Sequence, residues 1–402
     1  MPLKPQHFLP YGRHQIDEDD IAAVVDVLRS DSLTGGPLVA RFEKAFAQRT
    51  GATHAVSCAN GTAALHLAAL ALGLGPGDVV IVPSLTFLAT ASAAVYVGAD
   101  VVFADVDPDT GLMTAKTLGD AIVRAKGRAK AVFPVHLNGG CVDLAAIGEM
   151  AARHDLAVVD DACHALGATM GNILIGDGTS ASMSIFSLHP VKVIAMGEGG
   201  VITTADPKLT ERLTRFRNHG MVRDSARFVQ KDEAFDTDGA TNPWYYEMPE
   251  PGFNYRASEI HCALGLSQLA KLDSFLSRRR ELADLYDRAL APISPLLRPI
   301  PRVPGCNGGW HLYPVLIDFA AAGISRARLM NALHAKGIGT QVHYLPVHRQ
   351  PFWRARQPGL SLPGADAYYA RCLSLPLFPA MRDTDVEYVA ATLMSLLKDT
   401  KR

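Results

Sequence analysis

The chain has 402 residues, enough for two or three domains' worth of buried core, and 48% of them are hydrophobic, which excludes a disordered protein. Its 39 basic and 40 acidic side chains leave a net charge of −1 with no basic run, so we expect no nucleic-acid partner. The six cysteines form no CxxC pair, which argues against a zinc site or a disulfide framework and is typical of a reducing cytosol.

The N-terminal residues do not resemble a signal peptide, and the apolar runs do not resemble membrane-spanning segments. The first residues lack the charged stretch and apolar run of a signal peptide, and no apolar run is long enough to cross a bilayer. The sequence therefore predicts a cytoplasmic protein with no metal ion and no membrane partner.

The first half of the chain alternates short apolar runs with amphipathic stretches. After an irregular segment, acidic residues 17–20 open a helix that runs to Leu28, and a second helix passes through Phe42 and Phe46. The predicted strands that follow are 54–57, 79–82, 100–104, 129–134, 157–160, 181–186 and 199–203, and the predicted helices are 62–72, 85–96, 115–123 and 144–154. This alternation indicates a mostly parallel sheet covered by helices, which binds ligands at the carboxyl ends of its strands.

The second half of the chain has longer predicted helices and fewer predicted strands than the first. A helix over 208–216 leads into a polar, aromatic-rich segment and then a long helical region from Ala257 to about Leu290. Strands at 310–317 and 338–344 and helices at 326–336 and 384–397 follow a Pro- and Gly-rich boundary. We therefore expect a large domain over 1–255, and a long helix with a smaller α+β domain over 256–402. About the first 30 residues could pack with the small domain.

One lysine stands in an unusual setting between two predicted strands. Lys192 follows Pro190 among apolar neighbours and precedes a Gly-rich loop. A poorly solvated amine has a lowered pKa and a free lone pair that can attack a carbonyl, so Lys192 could hold pyridoxal phosphate (PLP) as a Schiff base. Most loop lysines are simply solvated, and this hypothesis needs support from the other strand ends.

A neighbouring strand end supplies a carboxylate. A strand ends at Asp160 and Asp161, and a pyridine cofactor needs one carboxylate against its ring nitrogen to keep that nitrogen protonated. We assign Asp161 to this role and place His164, about one helical turn on, near the ring hydroxyl. The alternative for the aspartate is a helix N-cap.

Two further strand ends offer groups for the rest of a cofactor. The turn from Asn60 through Gly61 and Thr62 presents backbone N–H groups and a hydroxyl to a phosphate, and Ser187 could join them. The alternative is an ordinary N-cap. Phe87 could stack on the cofactor ring, with core packing as its alternative. The sequence has no GxSxG, HExxH or P-loop motif, and no GxGxxG after its first strand.

Together these motifs resemble a known family over nearly the whole chain. The motifs are residues 60–65, 161–167, 186–192, 197–200 and 252–256, and the family is the DegT/DnrJ/EryC1/StrS group of PLP-dependent nucleotide-sugar aminotransferases. The resemblance implies an α/β fold of the aspartate aminotransferase type (PLP-dependent transferase type I). It also implies a Schiff base on Lys192, Asp161 at the ring nitrogen, and a phosphate at Thr62 and Ser187. Asn254 would reach the cofactor phosphate of a neighbouring subunit, which implies a homodimer with shared active sites.

The resemblance also suggests a reaction. A subgroup of the family with histidine at the Lys192 position performs dehydration, so the lysine favours transamination. Segments 263–272, 341–348 and 375–379 are most similar to the subgroup that aminates C4 of a UDP-4-keto-6-deoxy sugar in pseudaminic acid synthesis. That implies transfer from L-glutamate to UDP-2-acetamido-2,6-dideoxy-beta-L-arabino-hex-4-ulose. The alternatives are a GDP-perosamine or UDP-bacillosamine type of aminotransferase, or a PLP-dependent dehydratase or lyase.

The same resemblance names residues for the nucleotide-sugar site. They are Tyr11, Asp31, Ser32, Leu33, Thr34, Asn60, Ser187, Asn254, Gln341, Val342, His343 and Tyr344. Residues 137–141, 195–196 and Cys163 depart from what is usual in the family. None of these departures touches the lysine chemistry, but they leave the identity of the sugar open.

Overall fold

A computed structural model describes residues 7–399 of the chain. Several helices begin with residues that favour a helix N-terminus. Asp17 and Thr114 form capping boxes, and Pro37 and Pro207 lie in the first turns of their helices. The α-helices are α1 (Glu18–Leu28), α2 (Pro37–Thr50), α3 (Gly61–Leu72), α4 (Leu88–Tyr96), α5 (Ala115–Ala125), α6 (Leu144–Arg153), α7 (Pro207–Arg217), α8 (Lys231–Ala234), α9 (Glu259–Ala270), α10 (Leu272–Leu290), α11 (Phe319–Ala322), α12 (Arg326–Ala335), α13 (Pro351–Arg356), α14 (Pro363–Arg371) and α15 (Asp383–Asp399).

The strands form one large sheet and two small ones. They are β1 (His54–Cys58), β2 (Val79–Pro83), β3 (Asp100–Ala104), β4 (Ala129–Val132), β5 (Ala157–Asp161), β6 (Thr169–Met170), β7 (Ile173–Leu174), β8 (Met183–Ser187), β9 (Gly200–Thr204), β10 (Leu297–Pro299), β11 (Cys306–Asn307), β12 (Tyr313–Ile317) and β13 (Cys372–Leu375). The large sheet has the order β1-β9-β8-β5-β4-β2-β3, and only β9 runs antiparallel to its neighbours. The predicted α/β fold with a mostly parallel sheet is confirmed.

The predicted elements of the first half all form, with shifted ends. The seven strands expected between residues 54 and 203 are the seven strands of the large sheet. The helix expected over 85–96 begins only at Leu88, because Phe87 still has extended backbone. The strand expected over 129–134 ends at Val132.

One prediction in the second half is confirmed with a change, and another is wrong. The long helical region forms as two helices, α9 and α10, which meet at Lys271. No strand forms over 338–344: this segment makes only isolated bridges, from Ile338 to Leu9 and from Gln341 to Ser374. The place beside β12 is taken by β13, which follows α14 and which the sequence pattern did not indicate.

Two main regions of apolar packing lie on either side of α10. The first surrounds the large sheet, and Phe275 and Leu276 of α10 pack against its outer helices. The second surrounds β10, β12 and β13 and takes in Leu282 and Tyr286 of α10. Leu9 also packs there, and its backbone N–H donates to the carbonyl of Gly337. The division into 1–255 and 256–402 stays a proposal, with α10 joined to both regions.

Among residues 7–399, no helix is long and apolar enough to cross a membrane. Within the same range, no group of three or more His, Cys, Asp or Glu side chains is placed to hold a metal ion. The predicted lack of a signal peptide concerns a terminus whose first six residues lie outside the described range.

Candidate active site

The carboxyl ends of the parallel strands surround a cavity of about 630 Å³. Loops after β1, β2, β5 and β8 all reach it, because parallel strands end at the same edge of a sheet. The opposite wall comes from Tyr11, His311 and residues 341–344. The cavity therefore lies where the strand-end rule predicts a ligand.

Lys192 stands in the turn between the antiparallel strands β8 and β9. Its backbone N–H donates to the carbonyl of His189, and the loop closes where the N–H of Met196 donates to Leu188. The side chain lines the cavity. Removal from water lowers the pKa of the Lys192 amine, although the nearby Cys163 and Asp161 act in the opposite direction. The neutral, nucleophilic amine is favoured more than in a solvated lysine.

The two adjacent carboxylates at the end of β5 have different surroundings. Strand side chains alternate between faces, and Asp160 and Asp161 follow that rule. The Asp160 carboxylate lies 3.1 Å from Nε2 of His136, and both side chains are fully buried away from the cavity. Asp161 lines the cavity and accepts hydrogen bonds from the hydroxyl of Thr90 (2.7 Å) and the N–H of Cys163 (3.2 Å). Only Asp161 can meet a ligand there.

His164 presents a defined tautomer to the cavity. Its Nδ1 accepts the backbone N–H of Asn138 at 3.2 Å, so in the neutral ring the proton is on Nε2, which lies 3.3 Å from the Tyr344 hydroxyl. Burial, together with the positive charge of Lys192, holds the pKa of His164 well below its usual range. A neutral imidazole with an Nε2–H donor therefore borders the cavity.

The start of α3 forms a site suited to an anion. The Asn60 side chain accepts the N–H of Ala63 at 2.9 Å, which leaves the N–H groups of Gly61 and Thr62 without a partner among the described residues. Gly61 lets the loop after β8 approach closely, because a Cβ there would lie 2.9 Å from Cβ of Ser187. Two backbone donors and the hydroxyls of Thr62 and Ser187 thus share one part of the cavity.

Most of the predicted site residues meet in this cavity. Those that line it are Tyr11, Asn60, Gly61, Thr62, Phe87, Asp161, His164, Ser187, Lys192, Gln341, Val342, His343 and Tyr344. Phe87 is 55% exposed, with its ring 6.1 Å from that of Tyr344. The loop of Asp31, Ser32, Leu33 and Thr34 does not line the cavity, and neither does Asn254, which is exposed.

Two residues that support the site were not indicated by the sequence. Thr90 holds the Asp161 carboxylate and pairs with Thr86 at 2.8 Å, so its helical spacing from Thr86 was the available signal. The His311 ring packs at a tilt against that of His164 with ring centroids 4.3 Å apart, and its buried Nδ1 has no partner among the described residues. No local pattern marked His311, because its approach to the cavity depends on distant packing.

The cavity fits a phosphorylated pyridine aldehyde. An amine, a carboxylate, a neutral imidazole N–H and an anion site match an aldehyde, a protonated ring nitrogen, a ring hydroxyl and a phosphate. The carboxylate that lines the cavity is held in place by Thr90 and by a backbone N–H. These are the groups that PLP requires.

Comparisons with known proteins agree with this site. The model of the DegT/DnrJ/EryC1/StrS aminotransferase family matches residues 14–394. The Bacillus subtilis (strain 168) spore coat polysaccharide biosynthesis protein SpsC is 39% identical over 402 residues, which cover 99% of each chain.

Solved structures give the same result. Helicobacter pylori PseC, an aminotransferase of pseudaminic acid biosynthesis, has a TM-score of 0.87 and 28% identity, covering 98% of this chain and 100% of its own. The PLP form of a Streptococcus pneumoniae protein described as a sugar aminotransferase has a TM-score of 0.85 and 27% identity, covering 98% and 100%.

The chain belongs to the DegT/DnrJ/EryC1/StrS aminotransferase family. It is a sugar aminotransferase with the α/β fold of this group. Enzymes of the family depend on PLP and act on nucleotide sugars with an amino donor.

Proposed function

We propose that this enzyme transfers the amino group of L-glutamate to C4 of a nucleotide-linked 4-keto-6-deoxy sugar, with PLP held as a Schiff base on Lys192. The substrate we propose is UDP-2-acetamido-2,6-dideoxy-beta-L-arabino-hex-4-ulose. One observation carries the reaction: a desolvated lysine and a hydrogen-bonded aspartate line the same cavity beside an anion site. The choice of sugar rests on segments 263–272, 341–348 and 375–379 and on the likeness to PseC.

Each cavity residue at the strand ends of the large sheet has one task in this proposal. When bound, PLP supplies a ring that takes up electrons from a bond broken at the carbon bearing the amine. The Asp161 carboxylate keeps the ring nitrogen protonated, and Thr90 keeps that carboxylate in place. The Nε2–H of His164 donates to the ring hydroxyl. Gly61, Thr62 and Ser187 hold the phosphate.

Lys192 also moves the proton. When it is not bonded to the cofactor, its Nζ would be a free amine whose pKa is lowered by burial, which favours the neutral form that acts as a base. It takes the proton from the carbon that bears the donor's amine, and it returns a proton to C4 of the sugar in the second half-reaction. Buried His343 and half-buried Tyr344 line the opposite wall and limit the access of water to this exchange.

Borohydride labelling tests the lysine assignment. The purified enzyme should absorb as a lysine-bound pyridine aldehyde, and reduction followed by peptide mass spectrometry should find the label on Lys192. The Lys192→Ala enzyme should lose both the label and the activity, whereas Lys208→Ala, in the first turn of α7, should keep them. A reducible lysine link that survives in Lys192→Ala would overturn the proposal.

A substrate panel tests the reaction and the sugar. Glutamate alone should convert the cofactor stoichiometrically to its pyridoxamine form, a result that a lyase would not give. With labelled glutamate, UDP-, GDP- and dTDP-linked 4-keto-6-deoxy sugars are then compared by kcat/KM. A clear preference for a GDP sugar would favour the perosamine type, and preference for the UDP precursor of bacillosamine would favour that type; either would reject the proposed substrate.

We also propose a homodimer in which Asn254 of one protomer reaches the cofactor phosphate bound by its partner. Asn254 belongs to a family motif yet is exposed and lies outside the cavity of its own chain. If sites are shared, mixing inactive Lys192→Ala and Asn254→Ala chains should restore about a quarter of the wild-type activity, because half the dimers would carry one intact site. No recovery in verified hybrid dimers would contradict shared sites.

A further inference from the structure

Two thiols that lie 165 residues apart in the sequence are in contact. The Sγ atoms of Cys141 and Cys306 are 2.8 Å apart, and the backbone N–H of Cys141 donates to Cys306 Sγ at 3.2 Å. Cys141 ends the turn before α6, while Cys306 begins β11, which pairs with β6. The position of Cys306 is therefore fixed by strand pairing, and that of Cys141 by its backbone hydrogen bond to Cys306.

The two cysteines differ in access. Cys141 is fully buried. Cys306 is partly exposed and lines a second cavity of about 200 Å³, separate from the active site, which it shares with Arg280, Arg302 and Trp310. A small reagent that enters this cavity would meet Cys306 first.

The contact also activates Cys306. The hydrogen bond between the two thiols lowers the pKa of Cys306 to about 7. The Cys141 N–H and the cation of Arg280 act in the same direction, while burial opposes them. The same contact raises the pKa of Cys141. Because the thiolate is the reactive form of cysteine, Cys306 is suited to be oxidised first, with Cys141 as its resolving partner.

We propose that Cys141 and Cys306 form a reversible modification site that reacts with hydrogen peroxide to give an intrachain disulfide. The Cys306 sulfur attacks one peroxide oxygen, the O–O bond breaks, and the other oxygen leaves as water after taking a proton. The Cys141 sulfur then attacks Cys306 Sγ, the S–O bond breaks, and a second water leaves with the Cys141 proton. Two thiols are oxidised by loss of two hydrogens, and one peroxide is reduced to two waters.

The position of the pair connects it to the cofactor cavity. On one side, Leu137 lines that cavity and the N–H of Asn138 donates to His164, only a few residues before Cys141. On the other, Cys306 stands five residues before His311, which lines the same cavity. A disulfide would tie together two segments that border the active site.

Peroxide titration of the full-length, reduced protein tests the site. After trapping with an alkylating reagent, two of the six thiols should be lost, and peptide mass spectrometry should find residues 141 and 306 joined with two hydrogens fewer. Dithiothreitol should restore both thiols. The oxidised protein should melt several degrees higher than the reduced one, because a cross-link restricts the unfolded chain.

Variants separate this outcome from general oxidation. Cys306→Ser and Cys141→Ser should abolish the link and the melting shift, whereas Cys372→Ser, which replaces another buried thiol, should keep both. If Cys306→Ser folds poorly, Cys306→Ala provides a second test of the same loss. Six free thiols after peroxide, a link to another cysteine, a link between chains, or irreversible oxidation of Cys306 without a link would each overturn the proposal.

Discussion

The two walls of the active-site cavity are built in different ways. The cofactor wall consists of Asn60–Thr62, Asp161–His164, Ser187 and Lys192, which lie at the ends of strands of one sheet or in the loops after them. The substrate wall consists of Tyr11 and Gln341–Tyr344, which lie in irregular segments from opposite ends of the chain. Groups that must meet a small ring at fixed points are thus placed on the stiffest edge of the fold, and the groups we assign to the variable sugar are on loops.

This comparison has a kinetic consequence. Both half-reactions of a transaminase use the cofactor, but only the second uses the sugar. A change in the cofactor wall should therefore slow both half-reactions, whereas a change in the substrate wall should affect amination of the sugar alone. The predictions below use this difference.

The largest effect is expected on the cofactor wall. Asp161→Asn should slow both half-reactions by on the order of 10³-fold, because an amide cannot keep the ring nitrogen protonated. Rapid-mixing absorbance measurements with glutamate report this rate. The neighbouring Asp160→Asn should instead weaken the buried contact with His136, lowering the free energy of unfolding by about 1–3 kcal/mol while the folded enzyme keeps its rate. Equal kinetic losses in both variants would contradict the assignment.

A smaller effect should follow from filling the anion site. Gly61→Ala places a methyl group against Ser187 and should weaken cofactor binding by about 10-fold, because about 1.4 kcal/mol of hydrogen bonding to the phosphate is lost. Titration of the apoenzyme with PLP gives the Kd. Gly148→Ala, inside α6 with open space around it, should leave the Kd unchanged and stabilise the protein slightly.

A change in the substrate wall should spare the first half-reaction. The Tyr11 ring packs 5.3 Å from that of His343, and Tyr11→Ala should raise the KM for the nucleotide sugar by about 10-fold through lost contact area. The rate with glutamate should not change. Phe8→Ala removes a ring that packs on His334 outside the cavity and serves as the matched control. A slower glutamate half-reaction in Tyr11→Ala would contradict the assignment of Tyr11 to the substrate wall.

An effect of a different kind, on stability rather than on rate, is expected when the pH is changed. Burial lowers the pKa of His343 to about 3, with the charge of Lys192 adding to the effect. Below pH 6.5 the unfolded chain binds a proton at this histidine that the folded chain does not. The contribution of His343 to the free energy of unfolding is therefore complete above pH 6.5, and it falls towards pH 3 by up to about 1.4 kcal/mol per pH unit. Urea unfolding at pH 7 and pH 5 should show a weaker pH dependence for His343→Asn. An unchanged dependence would argue that His343 is not held neutral.

Part of this picture could be read from local sequence. The apolar runs of the large sheet and the loop of Lys192 are each contiguous, so their patterns were informative. The choice between Asp160 and Asp161 was only half determined: strand alternation says that neighbours face opposite ways, but not which of them faces the ligand. The strand predicted at 338–344 was wrong for a similar reason: local sequence could not show that β13 pairs with β12 and occupies the edge of that sheet.

By itself, the sequence determined the alternation of strands and helices, the turn from Asn60 to Thr62 before a helix, and the lysine at a strand end, because each depends on neighbours within a few residues. The tertiary structure alone decided that Thr90 holds Asp161, that His311 meets His164, and that Cys141 touches Cys306. These contacts join residues about 70 to 165 positions apart, and such approaches are set by the packing of whole elements rather than by any local pattern.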